Sequence, residues 1–229
     1  MAAKKDVEKN EGAVTRQELT IAAPNMRVGQ FIIRGTAPLI MNAFPKKAIE
    51  QMKATQEAGS TAKKGKKRDP KDFQACFEGA KHVSEDGWYG IPAPGIRAAM
   101  VSACRVVGFA MTRAKLAVFV VPDGFDRNDG TPLVRITKGE PKYVEHPCRN
   151  ASGVCDIRAR AMWKPGWEAM VQIQYDGDMF TLHDVANLLV RVGVQVGLLE
   201  GRHDSKASCG QGWGTFAVVS KAEISADAA

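Results

Sequence analysis

The chain has 229 residues, 45% of them hydrophobic and 25% charged, an ordinary globular composition that leaves room for one large domain or two small ones. Its longest apolar runs, such as 116–122, fall far short of the ~20 residues a membrane helix needs, and the opening Met-Ala-Ala-Lys-Lys-Asp carries no apolar signal region. The formal charge is +7, and because four basic residues in 1–25 cancel four acidic ones, the whole excess belongs to 26–229, the attribute of a chain that attracts polyanions.

Residues 1–25 are polar and aperiodic and are expected to form a disordered N-terminal arm. A single domain is expected over 26–225, with a frayed tail at 226–229. Its first strand runs from Met26 to Ile33, with Val28, Phe31 and Ile33 as core candidates. Gly35 and Pro38 then turn the chain. Lys46 to Ala58 has helix-forming composition. Residues 59–70 form a basic inserted loop, and Asp69-Pro70 reads as the start of a helix reaching Val83. A short extended piece begins at Trp88, and a second helix spans Gly95 to Val107, burying Ile96, Met100 and Val107.

Beyond this point the pattern turns to strands. Ala114 to Val121 is β-rich, Leu133 to Thr137 is a further strand, and Asp156–Trp163 with Trp167–Asp176 reads as a β-hairpin closed by Lys164-Pro165-Gly166. Thr181 to Asp184 resembles a capping box opening a helix to Val192. A glycine-rich stretch, 193–214, precedes a last strand from Thr215. Helices segregated between antiparallel strands define the fold class as α+β: a ferredoxin-like or RNA-recognition-like antiparallel sheet with helices on one face, plus inserted loops and a β-hairpin.

The candidate ligand-binding residues follow from that pattern. A period of two puts Arg158, Arg160, Gln172 and Gln174 on a polar sheet face, with Lys164 at the hairpin tip. Arginine suits phosphates and bases. Trp163 is assigned to the polar side as a base-stacking residue, and Trp167 to a buried cross-strand pair. Lys63, Lys64, Lys66, Lys67 and Arg68 are the densest positive charge, placed to close over a phosphate backbone. His146-x-Cys148 with Cys155 brings three ligand residues together without a fourth, so no metal is assigned. Five cysteines and no export signal fit reduced thiols in a cytoplasm. The glycines match neither a dinucleotide fingerprint nor a Walker loop, so no cofactor is expected. His82, His146, His183 and His203 have no nucleophile in a familiar spacing, so no catalytic residue is assigned and an enzyme is not expected.

Gly197 to Arg202, Gly212 to Phe216 and the opening Gly35-Thr36-Ala37-Pro38-Leu39-Ile40-Met41 resemble the RAMP superfamily, which includes CRISPR backbone subunits, and a group of phage and prophage proteins. The resemblance covers mainly 26–45 and 155–220. It implies an RNA-recognition-like fold, Gly201, Arg202 and Gly212 near a bound backbone, and head-to-tail homo-oligomers, as a filament or ring. The function it implies is sequence-tolerant binding of single-stranded DNA or RNA, in phage or mobile-element DNA metabolism or an RNA-guided complex. That activity belongs in the cytoplasm of a bacterial host, with no membrane partner. The alternatives are a metal-independent RNA endonuclease using His82 or His203, and a structural phage protein.

Overall fold

The computed structural model describes residues 21–44, 46–57, 71–149, 155–204 and 210–219. In chain order its elements begin with β1 (Met26–Gly35), β2 (Leu39–Met41), α1 (Lys46–Glu57), α2 (Phe73–Gly79), β3 (Gly90–Pro92), α3 (Ala93–Ala103) and α4 (Met111–Ala117). They continue with β4 (Val118–Val121), β5 (Gly124–Phe125), β6 (Pro132–Lys138), β7 (Lys142–Arg149), β8 (Cys155–Trp163), β9 (Glu168–Asp176), α5 (Leu182–Arg191), a π-helical turn (Val192–Val196) and β10 (Phe216–Val218). No helix among the described residues is long and apolar enough to cross a membrane.

Six of these elements make a ferredoxin-like core. β1, α3, β4, β9, α5 and β10 follow one another as βαββαβ, and the strands stand in the order β10-β1-β9-β4 with every pair antiparallel. α3 and α5 pack beside each other on one face, over the odd-numbered side chains of β1 and β9. Ile33, Val171 and Ile173 on the strands and Ile96, Met100, Leu188 and Leu189 on the helices are all buried there. The capping box is present: the Thr181 hydroxyl accepts from the Asp184 amide, and the Asp184 carboxylate accepts from the Thr181 amide. The inserted segments build outward, with β6 joining β9 beyond β4 and a three-stranded sheet in the order β2-β8-β7.

The two sheets are joined by one long antiparallel ribbon. Arg34 stands opposite Glu168, and five residues further along both strands Leu39 stands opposite Trp163, so the register of β1 on β9 continues unshifted into β2 on β8. The ribbon is interrupted at 35–38 and 164–167. There the Gly35 amide donates to the Trp167 carbonyl and the Gly166 amide to the Gly35 carbonyl, each at 2.8 Å. The Trp167 indole lies directly across Gly35. A Cβ on Gly35 would come within 1.9 Å of Trp167 Nε1, which donates to the Ala37 carbonyl at 3.0 Å. Only glycine admits that crossing.

Several expectations are corrected. Asp156–Trp163 and Trp167–Asp176 are strands, but they do not pair with each other; β8 pairs with β2 and β7, and β9 with β1, β4 and β6. The hairpin is instead β7 with β8. Trp163 is fully buried rather than on the polar side, because it shares odd parity with Ala159 and Ala161, which are buried with it. Val28 has the opposite parity from Phe31 and Ile33 and is 53% exposed. α3 ends at Ala103, which leaves Val107 exposed. Residues 114–117 belong to α4 rather than to a strand. α2 starts at Phe73 with Asp72 as its N-cap and ends at Gly79, short of Val83. The last strand stops at Val218. The arm assigned to 1–25 falls mostly outside the described residues, as do the loop 59–70 and the tail 226–229.

Replacing Gly35 by alanine should force the ribbon or the indole aside, and overpacking of this kind costs about 1–3 kcal/mol. Denaturant unfolding should register the loss, and the penalty should shrink in a Trp167→Leu background, where the clashing ring is gone. Equal penalties in the two backgrounds would show that the indole does not constrain Gly35.

Candidate nucleic-acid interface

Registers across three strands set the outer face of the ferredoxin-like sheet, the side away from α3 and α5. Directly paired residues of antiparallel strands share a side. Val28, Gln174 and Phe119 therefore form one transverse row, and Gln30, Gln172 and Val121 the next. Ile32 with Met170 makes a third row. Arg34 with Glu168 and Lys138 makes the fourth. Gln30 and Met170 are exposed with Val28, and Gln172, Gln174, Phe119 and Val121 are half-buried. At the β4 edge the Arg97 guanidinium lies 5.2 Å from the Phe119 ring centroid, and its Nε donates to the Val118 carbonyl at 2.9 Å. At the other end of the face one carboxylate holds two cations, with Glu168 Oε1 2.8 Å from Arg34 Nε and 3.4 Å from Lys138 Nζ. The face thus runs from an aromatic ring through three primary amides to a cationic end. Such a set can stack a base, hydrogen-bond its edge and attract a phosphate.

A second cluster forms where the glycine-rich segment meets β7 and β8. Val144 opposite Arg160, His146 opposite Arg158 and Cys148 opposite Asp156 share one side of the hairpin. The chain reaches that side from the π-helical turn through Leu199, a non-glycine residue with φ 60°, a backbone conformation that costs on the order of 1–3 kcal/mol. Glu200 then faces the hairpin. Its Oε2 accepts from Arg160 Nε at 2.6 Å, and its Oε1 lies 3.5 Å from Arg158 Nη1 and 3.8 Å from His146 Nε2. Burial pushes the His146 pKa below the usual histidine value; Glu200 pulls the other way, and Arg160 and Arg158 reinforce the drop. Asp156 is held below the usual carboxylate range by its hydrogen bond from Lys71, 2.6 Å away.

The predicted residues therefore divide. Gln172 and Gln174 lie on the outer face. Arg158 and Arg160 lie on the second sheet beside Glu200, with Arg160 only 12% exposed and also bonded to the Ala159 carbonyl. Lys164 is exposed in the turn between β8 and β9. Arg202 folds onto its own loop, donating to the Leu199 and Asp204 carbonyls at 2.9 and 3.0 Å. Gly201 (φ 76°) is buried against Trp213, where a Cβ would sit 2.2 Å from the ring, so this glycine packs the loop instead of opening it to a ligand. Gly212 lies beside His203. Trp163 is inaccessible to a base and sits edge-on to Tyr89 at 5.7 Å. Lys63, Lys64, Lys66, Lys67 and Arg68 lie outside the described residues.

Of the two histidines named for catalysis, His82 has another partner. His82 Nδ1 is 2.7 Å from the buried Asp126 carboxylate, which also accepts from the Asn128 amide and so ties two loops together. Sequence reasoning missed Phe119, Arg97 and Glu200. Phe119 was legible as a residue of a β-rich run, but its side depends on pairing with Gln174, more than fifty residues away. Compared with known protein families and curated proteins, the chain matches no family model and no curated sequence.

Arg160→Ala should leave Glu200 in a largely buried site without its closest partner. Breaking such a pair costs about 3 kcal/mol or more. Arg158→Ala removes a longer, more exposed contact and should cost less than about 1 kcal/mol. Thermal melts of the two variants at neutral pH check the difference, and equal losses would contradict the burial argument.

Proposed function

We propose that this chain binds single-stranded DNA or RNA with little sequence preference, using the outer face of its ferredoxin-like sheet. The observation that supports the reading is the transverse row Val28, Gln174, Phe119 beside Gln30, Gln172, Val121, a mixed apolar and amide surface, part exposed and part half-buried, on a chain with a formal charge of +7. A buried core does not require three glutamines and an aromatic ring on the open side. A base needs both a flat partner and hydrogen-bonding groups at its edge. Phe119 supplies the ring, with the Arg97 guanidinium beside it, and Gln172 and Gln174 supply donors and acceptors. Amides pair with many base edges, which makes the recognition tolerant of sequence.

Arg158, Arg160 and Arg202 have a smaller part in this proposal than their charge suggests, because each is engaged by Glu200 or by a backbone carbonyl. Phosphate attraction is assigned to the run Lys63, Lys64, Lys66, Lys67, Arg68 and to exposed Lys164. Kinship with the RAMP superfamily and assembly along the strand remain part of the proposal. A glycine-rich segment leading into the final strand of a ferredoxin-like core supports the kinship, and the β4 and β10 edges of the four-stranded core are where neighbouring copies would meet along a strand.

Fluorescence anisotropy with labelled single-stranded oligonucleotides of mixed sequence tests the reading across a salt series. Log affinity should fall linearly with log salt, and replacing the five residues of the basic run with alanine should lower the slope by roughly 0.7 per lost phosphate contact. Phe119→Ala should weaken binding by about 1–3 kcal/mol without changing the slope, since stacking releases no counterions. A flat salt response, or full affinity in a folded Phe119→Ala variant, would overturn the proposal.

A further inference from the structure

Three side chains of metal-ligating type converge where the β7–β8 hairpin meets the glycine-rich segment. His146 and Cys148 are two residues apart on β7 and so project from one side of it. Glu200 arrives from the far side of the π-helical turn, and one ligand atom from each of the three lies within 4.8 Å of the others. His146 Nε2 stands 3.8 Å from Glu200 Oε1. Nitrogen and oxygen donors each about 2.0–2.2 Å from a tetrahedral ion stand roughly 3.4 Å apart. The His146–Glu200 pair therefore needs to contract by only a few tenths of an ångström, and the Cys148 sulfur, within 4.8 Å of both, needs to approach by about 1.3 Å at most.

The His146 ring adds an independent sign. Both of its nitrogens are shielded from solvent, and neither has a hydrogen-bond partner among the described residues. A buried polar ring in that condition is a cost to folding unless something binds it. Its neighbour Trp213 meets it edge-on at 5.1 Å and offers no acceptor. Cys155, the other thiol nearby in sequence, is paired with Arg149 on the opposite side of the hairpin from Cys148, so the third ligand is Glu200 in its place.

We propose that His146, Cys148 and Glu200 form a site for one divalent ion of the zinc class, with a fourth position open to water or another ligand. Nitrogen, thiolate and carboxylate donors together select a borderline ion over magnesium or calcium. The nearby guanidiniums do not oppose it. A divalent ion with one thiolate and one carboxylate is neutral, and Arg160, bonded to Oε2, orients the carboxylate while Oε1 points to the ligand group. Bound there, the ion would tie the glycine-rich segment to the hairpin. The proposal is independent of nucleic-acid binding.

The test uses the full chain, stripped with chelator and titrated with Co²⁺ and then Zn²⁺. One Co²⁺ per chain should bind with a thiolate-to-cobalt charge-transfer band, Zn²⁺ should displace it, and Zn²⁺ should raise the melting temperature. Cys148→Ser should abolish the band and weaken Zn²⁺ by more than about 100-fold, since outer-shell partners alone are worth 10–100-fold. Cys155→Ser should keep both. Should Cys148→Ser fail to fold, His146→Gln must show the same loss of Zn²⁺ affinity. Absence of stoichiometric binding, or a charge-transfer band that survives Cys148→Ser, would overturn the site.

Discussion

The ribbon register is the constraint on which the rest depends. β1–β2 and β8–β9 run antiparallel through both sheets without a slip, although the chain breaks step between Gly35 and Pro38 and between Lys164 and Trp167. A shift of one residue would exchange the two faces of every strand in the ribbon. Trp167 holds the break point. Its indole crosses Gly35, donates to the Ala37 carbonyl and meets Phe216 edge-on at 6.3 Å, so β1, β9 and β10 are tied at one point. With the register pinned, odd positions of β9, and of β8 from Ala159 on, go inward and even ones outward. The outer rows of the ferredoxin-like sheet and the Arg158–Arg160 side of the hairpin follow from the same parity.

That parity was legible in the sequence, and its pairing was not. The alternation in 156–163 and 167–176 identifies both strands and the buried place of Trp167. Trp163 has the same odd parity and belongs inside for the same reason; its position near a turn does not bring it to the surface. A Lys-Pro-Gly turn between two alternating runs satisfies every local requirement of a hairpin. What decides otherwise is β1–β2, more than a hundred residues earlier, which takes the place beside β8 and β9 that each would have given the other. Non-local competition of this kind leaves no mark in a local pattern. β7 shows the converse: with Pro147 in it and charges interspersed, Lys142–Arg149 lacks a strand signature, and pairing with β8 makes it one. In 111–121 a helix and a strand adjoin without a break, and Val118–Val121 gave the whole run a β appearance, while Ala114, Lys115, Leu116 and Ala117 are good helix formers.

Glu200 shows why a candidate site can be half visible. Arginines and a histidine on alternate positions mark a side of a hairpin, but the acid that gives them a common partner comes from a loop at least 40 residues on. Its approach requires the π-helical turn, the left-handed Leu199 and the close packing of Gly201 on Trp213. Each of these is a departure from regular structure, so none has a periodic signal. The glycines were visible as glycines. Their purpose here is to let the segment pack on itself and deliver Glu200.

The distribution of compensated charge then separates two contributions to binding. Arg34 and Lys138 share Glu168, Arg158 and Arg160 share Glu200, Lys71 meets Asp156, and Arg105 meets Asp204. These cations are held by carboxylates and gain less from a phosphate, because a new contact must compete with an existing one. The run 63–68 contributes five positive charges against a formal excess of seven for the whole chain. In the proposed binding mode, long-range attraction of a polyanion would therefore belong chiefly to that run. The outer sheet face, with Phe119, Gln172 and Gln174, has little charge to offer, and in the proposed mode it would work at contact distance, where stacking and amide hydrogen bonds act and salt has little effect. In the binding mode proposed above, the basic run would capture a strand and the outer sheet face would hold its bases.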